Sequence, residues 1–141
     1  MADASAIYHQ AIKSLASDAV GHGALAAPDA RAFLDNPLCG DCVEMQVTTL
    51  RSGAISALAH HVRGCLLCRA AASVIGKHAT GATAADIERV SAGVIELLQK
   101  QAPAPAGWEE LAVFAPVHGH PSRYRCVQLP FEALLAALRS T

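Results

Sequence analysis

The spacing of apolar residues predicts a helix, then a β-hairpin, then further helices along this chain. An apolar stripe at helical spacing predicts a first helix over residues 4–20. Residues 26–38 contain turn-forming prolines and predict irregular chain leading into a turn. Apolar and polar residues then alternate over 43–49, which predicts a half-buried strand, and residues 54–62 predict the returning strand of a hairpin.

The segments after the hairpin predict mostly helix. A helix is expected over residues 66–78, and Thr83 with Asp86 forms a capping-box pattern that predicts the start of the next. A short helix over 108–115, a loop over 116–122 and a final helix carrying Cys126 follow. The predicted fold class is therefore α+β, a small antiparallel sheet of about three strands with helices packed on it, and residues 1–141 form one domain.

Composition excludes several classes of protein. The chain has 141 residues, of which 52% are hydrophobic, so it can bury a real core and is not expected to be disordered. Lys plus Arg is 11 against 12 for Asp plus Glu, without a basic stripe, so no nucleic-acid partner is expected. No apolar run approaches the ~18 residues of a membrane helix, and the N-terminus lacks a signal-peptide pattern. A cytoplasmic location is the expectation.

The cysteines carry the candidate chemistry. There are 5, an odd number that argues against a closed disulfide framework. Four of them form two C-x2-C pairs, Cys39 with Cys42 and Cys65 with Cys68, separated by roughly twenty residues, which is the spacing of a four-thiolate zinc site. The alternative without chemistry is a set of buried, inert cysteines.

Local geometry suggests a second ligand set. If the first pair enters a strand, Cys39 and Asp41 face one side and Cys42 faces the other. Cys65 lies where a strand gives way to a helix, a placement that favours the thiolate. Cys126 also lies near a helix start, so a site of three cysteines and one aspartate is an alternative to the four paired cysteines.

Three motifs give the chain a family resemblance. Residues 36–41 read Asn-Pro-Leu-Cys-Gly-Asp, residues 64–69 read Gly-Cys-Leu-Leu-Cys-Arg, and residues 123–126 read Arg-Tyr-Arg-Cys. In this order, with the predicted hairpin between the first two, they resemble the U-type iron–sulfur cluster assembly proteins, the family of IscU, SufU and the N-terminal domain of NifU. The long gap from Cys65 to Cys126, and Arg123 and Arg125 ahead of that cysteine, are similar to the SufU type.

The resemblance implies a function and a site. It implies a scaffold or sulfur-acceptor protein rather than an enzyme, although a sulfurtransferase role is compatible with it. Such a protein receives persulfide sulfur from a cysteine desulfurase and holds zinc, iron or a transient [2Fe-2S] cluster for recipient apo-proteins. The implied ligands for the metal or cluster are Cys39, Asp41, Cys65 and Cys126, and Cys65 and Cys126 are both candidate persulfide acceptors.

Departures from the family pattern keep alternatives open. Cys42 and Cys68 are additional cysteines, for which we favour packing roles. One alternative function is a zinc-dependent persulfide acceptor without scaffold activity, and another is a structural zinc module that uses the two C-x2-C pairs. A thiol–disulfide protein ranks last because a thioredoxin-like βαβ pattern is missing. His60, His61, His118 and His120 are expected to be solvated rather than metal-binding.

Overall fold

Three consecutive antiparallel strands form the sheet. The computed structural model describes residues 9–37 and 40–141, and within them the strands are β1 (Ala30–Asn36), β2 (Asp41–Thr49) and β3 (Ile55–Arg63), in the order β1-β2-β3. The β2–β3 pair confirms the predicted hairpin, with each strand starting or ending one or two residues from the predicted position.

Strand β1 corrects the prediction of irregular chain over residues 26–38. Ala30, Ala32 and Leu34 pack against the core, whereas Arg31 and Phe33 are exposed, so the segment does alternate as a strand on β2. Prolines lie on both sides of this segment, and two of its three inward side chains are small. Its apolar signal was therefore weak beside its turn signals.

The α-helices agree with the predicted helices more closely. They are α1 (Gln10–Asp18), α2 (Leu66–His78), α3 (Ala84–Lys100) and α4 (Tyr124–Arg139). The capping box that starts α3 is confirmed, because the Thr83 hydroxyl accepts from the Asp86 N–H and the Asp86 carboxylate accepts from the Thr83 N–H. Helix α1 ends two residues earlier than predicted, where Ala19 turns left-handed, and residues 4–8 of the predicted helix lie outside the described residues.

Two local predictions near the C-terminus need correction. Residues 108–122, predicted as a short helix and a loop, instead wind as two 3-10 segments, Glu109–Gly119 and Pro121–Arg123. A proline in the position of Pro130 is expected either to interrupt a helix or to restart one, yet α4 runs continuously through Pro130. Ten of its residues are buried, among them Phe131 and Leu134, so tertiary packing offsets the backbone hydrogen bond that a proline removes.

Helices α2 and α4 cover the inner face of the sheet and form the centre of the core. Helix α4 contacts β1 and β2, and α2 contacts β3 and α4. This confirms the predicted α+β class. The start of α2 follows directly from the end of β3, opposite the start of β2, so one end of the sheet gathers several element termini. Among the described residues, no helix combines the length and apolar character that a membrane span requires.

Candidate metal centre

Three potential ligands from distant parts of the chain meet at this end of the sheet. Asp41 is the first residue of β2, Cys65 is the N-cap of α2, and Cys126 is the third residue of α4. One carboxylate oxygen and the two sulfur atoms all lie within 4.8 Å of one another. Asp41 and Cys126 are buried, whereas Cys65 is partly exposed, so the group is reached from solvent at Cys65.

Strand geometry and a glycine place Asp41 against Cys65. Asp41 faces the inner side of the sheet with Val43, and its Oδ1 accepts the backbone N–H of Cys65 at 2.9 Å. Its Oδ2 lies 3.6 Å from the Cys65 sulfur. A Cβ atom at Gly64 would stand 2.4 Å from Asp41 Oδ1, so only glycine leaves room for this carboxylate.

The pKa values of the Cys65 and Cys126 thiols are shifted in opposite directions. A hydrogen bond from the Cys126 thiol lowers the pKa of Cys65 to about 7, opposed by burial and by the charge of Asp41 and aided by the N–H groups of Cys68 and Leu67. The same hydrogen bond, together with burial and the charge of the Cys65 thiolate, raises the pKa of Cys126. Of the two thiols, Cys65 is therefore the one that loses its proton more readily, while Cys126 keeps its proton near neutral pH.

The residues present suit a thiophilic metal. Sulfur ligands favour zinc and iron, and zinc binds thiolate at about 2.3 Å and carboxylate at about 2.0–2.2 Å. Tetrahedral ligands at such bond lengths are roughly 3.6 Å apart, which agrees with the 3.6 Å between Cys65 Sγ and Asp41 Oδ2. The predicted fourth ligand, Cys39, lies outside the described residues, so the ligand set as a whole remains a prediction.

The two additional cysteines are not members of this group among the described residues. Cys42 is the neighbour of Asp41 in β2, and its sulfur is directed at the Gly40 carbonyl oxygen, 3.7 Å away. Cys68 is fully buried in the core, as the packing interpretation expects. Among the residues that the structure describes, the only group of three or more metal-ligating side chains is Asp41, Cys65 and Cys126, so Cys42 and Cys68 do not join Cys65 as ligands.

The histidines differ from the expectation of solvated side chains. His60 is only 3% exposed, and its Nε2 lies 2.7 Å from the Val20 carbonyl oxygen. Burial lowers the pKa of His60 despite that contact. His118 Nδ1 contacts the Leu98 carbonyl oxygen at 2.7 Å, and His120 Nε2 is buried, whereas His61 is exposed as expected. The sequence shows only two adjacent histidines near the end of a predicted strand. It does not reveal that the chain after α1 covers His60.

Two features of the molecule were missed by reasoning from the sequence. The first is the steric role of Gly64, for which the available signal was a glycine immediately before a cysteine at a helix start. The second is a cavity of about 100 Å³ lined by His22, His60 and Arg69 with Ala19 and Val62. Nothing in the local sequence links His22 to His60, because the residues between them include two whole strands.

Comparisons with solved structures define the class of protein. The N-terminal domain of a nitrogen-fixing NifU-like protein from Brucella abortus is similar, with a TM-score of 0.90 and 30% identity over 96% of this chain and 94% of that one. A hypothetical protein has a TM-score of 0.79 and 26% identity, over 91% of this chain and 96% of that one. No family model and no curated protein sequence matches the chain.

A third structure extends the fold comparison. A proposed iron–sulfur cluster assembly scaffold protein for the SUF system from the thermophile Fervidobacterium islandicum has a TM-score of 0.85. Its identity is 20%, over 96% of this chain and 99% of that one, so it supports the fold alone. With the Brucella protein, the comparison shows that the chain belongs to the U-type family that includes the N-terminal domain of NifU.

Proposed function

We propose that this chain is a U-type iron–sulfur cluster assembly protein that accepts sulfur from a cysteine desulfurase. Cys39, Asp41, Cys65 and Cys126 hold zinc or iron, or a nascent [2Fe-2S] cluster, for transfer to recipient apo-proteins. The observation that carries the proposal is the convergence of Asp41, Cys65 and Cys126 from three separate elements within 4.8 Å. In this proposal residues 1–141 act as one assembly domain in the cytoplasm, with a sulfurtransferase step but no turnover of a small-molecule substrate.

The mixed donor set suits a site that must release its cargo. All-cysteine zinc sites are typically closed and structural, whereas a carboxylate oxygen is a weaker ligand for iron or zinc than a thiolate. The Cys65 N–H donates a hydrogen bond to Asp41 Oδ1, and Asp41 Oδ2 faces the Cys65 sulfur. The Asp41 carboxylate can therefore stay oriented through Oδ1 while Oδ2 binds or releases a metal. When bound, the metal neutralises the clustered negative charge.

Exposure favours Cys65 over Cys126 as the persulfide acceptor. Cys65 is partly exposed, and Cys126 is fully buried behind it. A thiolate with a pKa of about 7 is also a competent nucleophile at neutral pH. The Cys65 sulfur attacks the outer sulfur of the desulfurase persulfide, a new sulfur–sulfur bond forms on Cys65, and the desulfurase cysteine leaves as a thiolate.

The alternative functions make different demands on the same residues. A structural zinc module would need Cys42 and Cys68 as ligands with Cys65, and among the described residues these three do not form a ligand group. A zinc-dependent sulfur acceptor without scaffold activity would use the same four ligands as our proposal. It differs only in never holding a cluster.

Anaerobic reconstitution tests these functions against one another. The protein is incubated with iron, cysteine and a cysteine desulfurase, and visible absorption and acid-labile sulfide are followed in the parent and in Asp41→Ala, Cys126→Ser and Cys42→Ser variants. We expect a cluster in the parent and in the matched control Cys42→Ser, and none in Cys126→Ser. Zinc retained in all variants without any cluster would support the structural module instead. Zinc lost from Asp41→Ala and Cys126→Ser, without a cluster in the parent, would support the sulfur acceptor.

A further inference from the structure

The second C-x2-C pair occupies the first turn of α2. Cys65 is the N-cap residue in an extended conformation, with φ −72° and ψ 168°, and Cys68 is the third residue of the helix. An N-cap side chain folds back over the third helical residue, whose N–H it can reach. The Cys65 side chain makes no capping hydrogen bond, but its N-cap position places it over the same first turn of α2 that carries Cys68. The two cysteines of this pair are therefore neighbours in space as well as in sequence.

The two thiols of this pair differ in accessibility. Cys65 is partly exposed, whereas Cys68 is fully buried among core side chains, and neither forms a disulfide. Residues three apart on a helix have Cβ atoms about 5–6 Å apart, and a disulfide needs about 3.5–4.5 Å. Forming a disulfide therefore requires the N-cap residue Cys65 to move toward Cys68 at the start of α2.

We propose that Cys68 is a resolving thiol that attacks a persulfide on Cys65 and releases its outer sulfur as hydrosulfide. This inference rests on the proposed function, because a cysteine desulfurase supplies the persulfide. It adds an activity, the reduction of bound sulfane sulfur to sulfide inside the protein. An iron–sulfur cluster contains its inorganic sulfur as sulfide. The step therefore converts the sulfur that the desulfurase delivers into the form that cluster assembly needs.

The reaction balances without a further reductant in a single turnover. The Cys68 sulfur bonds to the inner sulfur of the Cys65 persulfide, and the bond between the inner and outer sulfur atoms breaks. The electron pair of that bond leaves with the outer sulfur, which takes the proton of the Cys68 thiol and departs as hydrosulfide. The outer sulfur is reduced by two electrons, and the two cysteines are oxidised to a disulfide. A dithiol reductant then resets the pair.

The positions of the two thiols suit this displacement. Thiol–disulfide exchange proceeds in line, with the attacking sulfur opposite the leaving one. Cys68 approaches Cys65 from the buried side, so the outer sulfur leaves on the side that is open to solvent. Cys126 also contacts Cys65, but it is a proposed ligand of the metal, whereas Cys68 belongs to no ligand group among the described residues.

Trypsin isolates the pair in one short peptide. Arg63 and Arg69 flank residues 64–69, which contain Cys65 and Cys68 and no other cysteine, and Cys126 lies in the separate peptide 126–139. The mass of the 64–69 peptide after alkylation therefore distinguishes the dithiol, the persulfide with one added sulfur, and the internal disulfide. A disulfide to Cys126 would instead join the two peptides.

The experiment follows sulfide release from the full chain after treatment with a chelator. The parent, Cys68→Ser, Cys68→Ala and the matched control Cys42→Ser are loaded in two ways, with a cysteine desulfurase plus cysteine and with glutathione persulfide. Small thiols are removed before sulfide is measured. We expect stoichiometric sulfide and an internal 64–69 disulfide in the parent and in Cys42→Ser. Both Cys68 variants should keep the persulfide on Cys65 and release sulfide at least tenfold more slowly.

Three results would overturn the proposal. They are equal sulfide release from the parent and the Cys68 variants, a disulfide from Cys65 to Cys126, and absence of persulfide on Cys65 in the Cys68 variants under both loading methods. Loading by glutathione persulfide but not by the desulfurase, with release that still depends on Cys68, would support the resolving role and contradict the proposed function. Loading by both reagents, with sulfide release that does not depend on Cys68, would support the proposed function and contradict the resolving role.

Discussion

Cys42 and Cys68 are the second cysteines of the two C-x2-C pairs. They have the same spacing in sequence but lie in different positions relative to the candidate site. Cys42 follows Asp41 in a strand, where successive side chains alternate, so it points away from the inner face that carries Asp41. Cys68 follows Cys65 by nearly one turn of a helix, so it lies beneath Cys65 on the same side. The spacing alone predicts a four-thiolate site, whereas among the described residues the structure groups Cys65 with Asp41 and Cys126.

The comparison explains why the candidate site recruits a distant cysteine. Cys126 comes from α4, which packs against both α2 and β2 and so brings its first turn to the end of the sheet. Each of these elements contributes one candidate ligand to the described part of the site. A site assembled in this way depends on the packing of the elements as much as on the ligands. Substitution of residues that lie beside the ligands therefore tests it too.

The largest effect is expected from Gly64→Ala, which changes no ligand. The added Cβ would lie 2.4 Å from Asp41 Oδ1 and would displace the carboxylate from Cys65. We expect metal affinity to fall by about 10–100-fold, the range for residues that orient ligands, with a loss of about 1–3 kcal/mol in the free energy of unfolding. Zinc titration and urea unfolding measure the two effects.

Gly81→Ala is the control for this prediction. Gly81 has a φ of +93° and no atom within 4 Å of a built Cβ, so alanine there strains the backbone far from the metal centre. We expect it to cost stability, about 1 kcal/mol, with unchanged metal affinity. Equal metal affinity in Gly64→Ala and the parent would show that Asp41 is not held as a ligand.

The next effect concerns the ionisation of Cys65. Its pKa is lowered to about 7, so the reactive thiolate predominates above that pH and disappears below it. In chelator-treated protein we expect alkylation of Cys65 to quicken about tenfold from about pH 6 to pH 8 and then level off. The 64–69 peptide reports the rate, and Cys126→Ala, which removes the donor of the hydrogen bond, should move the plateau to higher pH. A rate that climbs steadily through about pH 9 in the parent contradicts the lowered pKa.

The smallest effect is the difference in stability between the two serine variants of the additional cysteines. Cys68→Ser places a hydroxyl at a fully buried position and should cost about 1–2 kcal/mol of unfolding free energy. Cys42→Ser, at a partly exposed position, should cost less than about 0.5 kcal/mol. Urea unfolding at one pH with a reductant compares them. If Cys42→Ser proves the more destabilising, the strand-face contrast between the two cysteines is wrong.

The predictable part of the fold lies where local signals are strong. The capping box at Thr83, the alternation of β2 and the helix predicted over 66–78 each depend on interactions within a few residues, and all three elements formed as expected. Strand β1 has weak alternation and depends on pairing with β2. The 3-10 segments after Trp108 and the unbroken helix through Pro130 depend on burial against the rest of the core. These could not be predicted locally.

The same division applies to the candidate site. The sequence by itself determined which residues can bind metal, that Cys65 begins a helix, and that Asp41 and Cys42 face opposite sides of a strand, because these follow from residue chemistry and from the period of each element. Only the tertiary structure decided that Cys126 and not Cys68 joins Asp41 and Cys65, and that Gly64 makes room for the carboxylate. Contacts between residues far apart in the chain are set by how helices pack on the sheet, and short-range spacing carries no record of that packing.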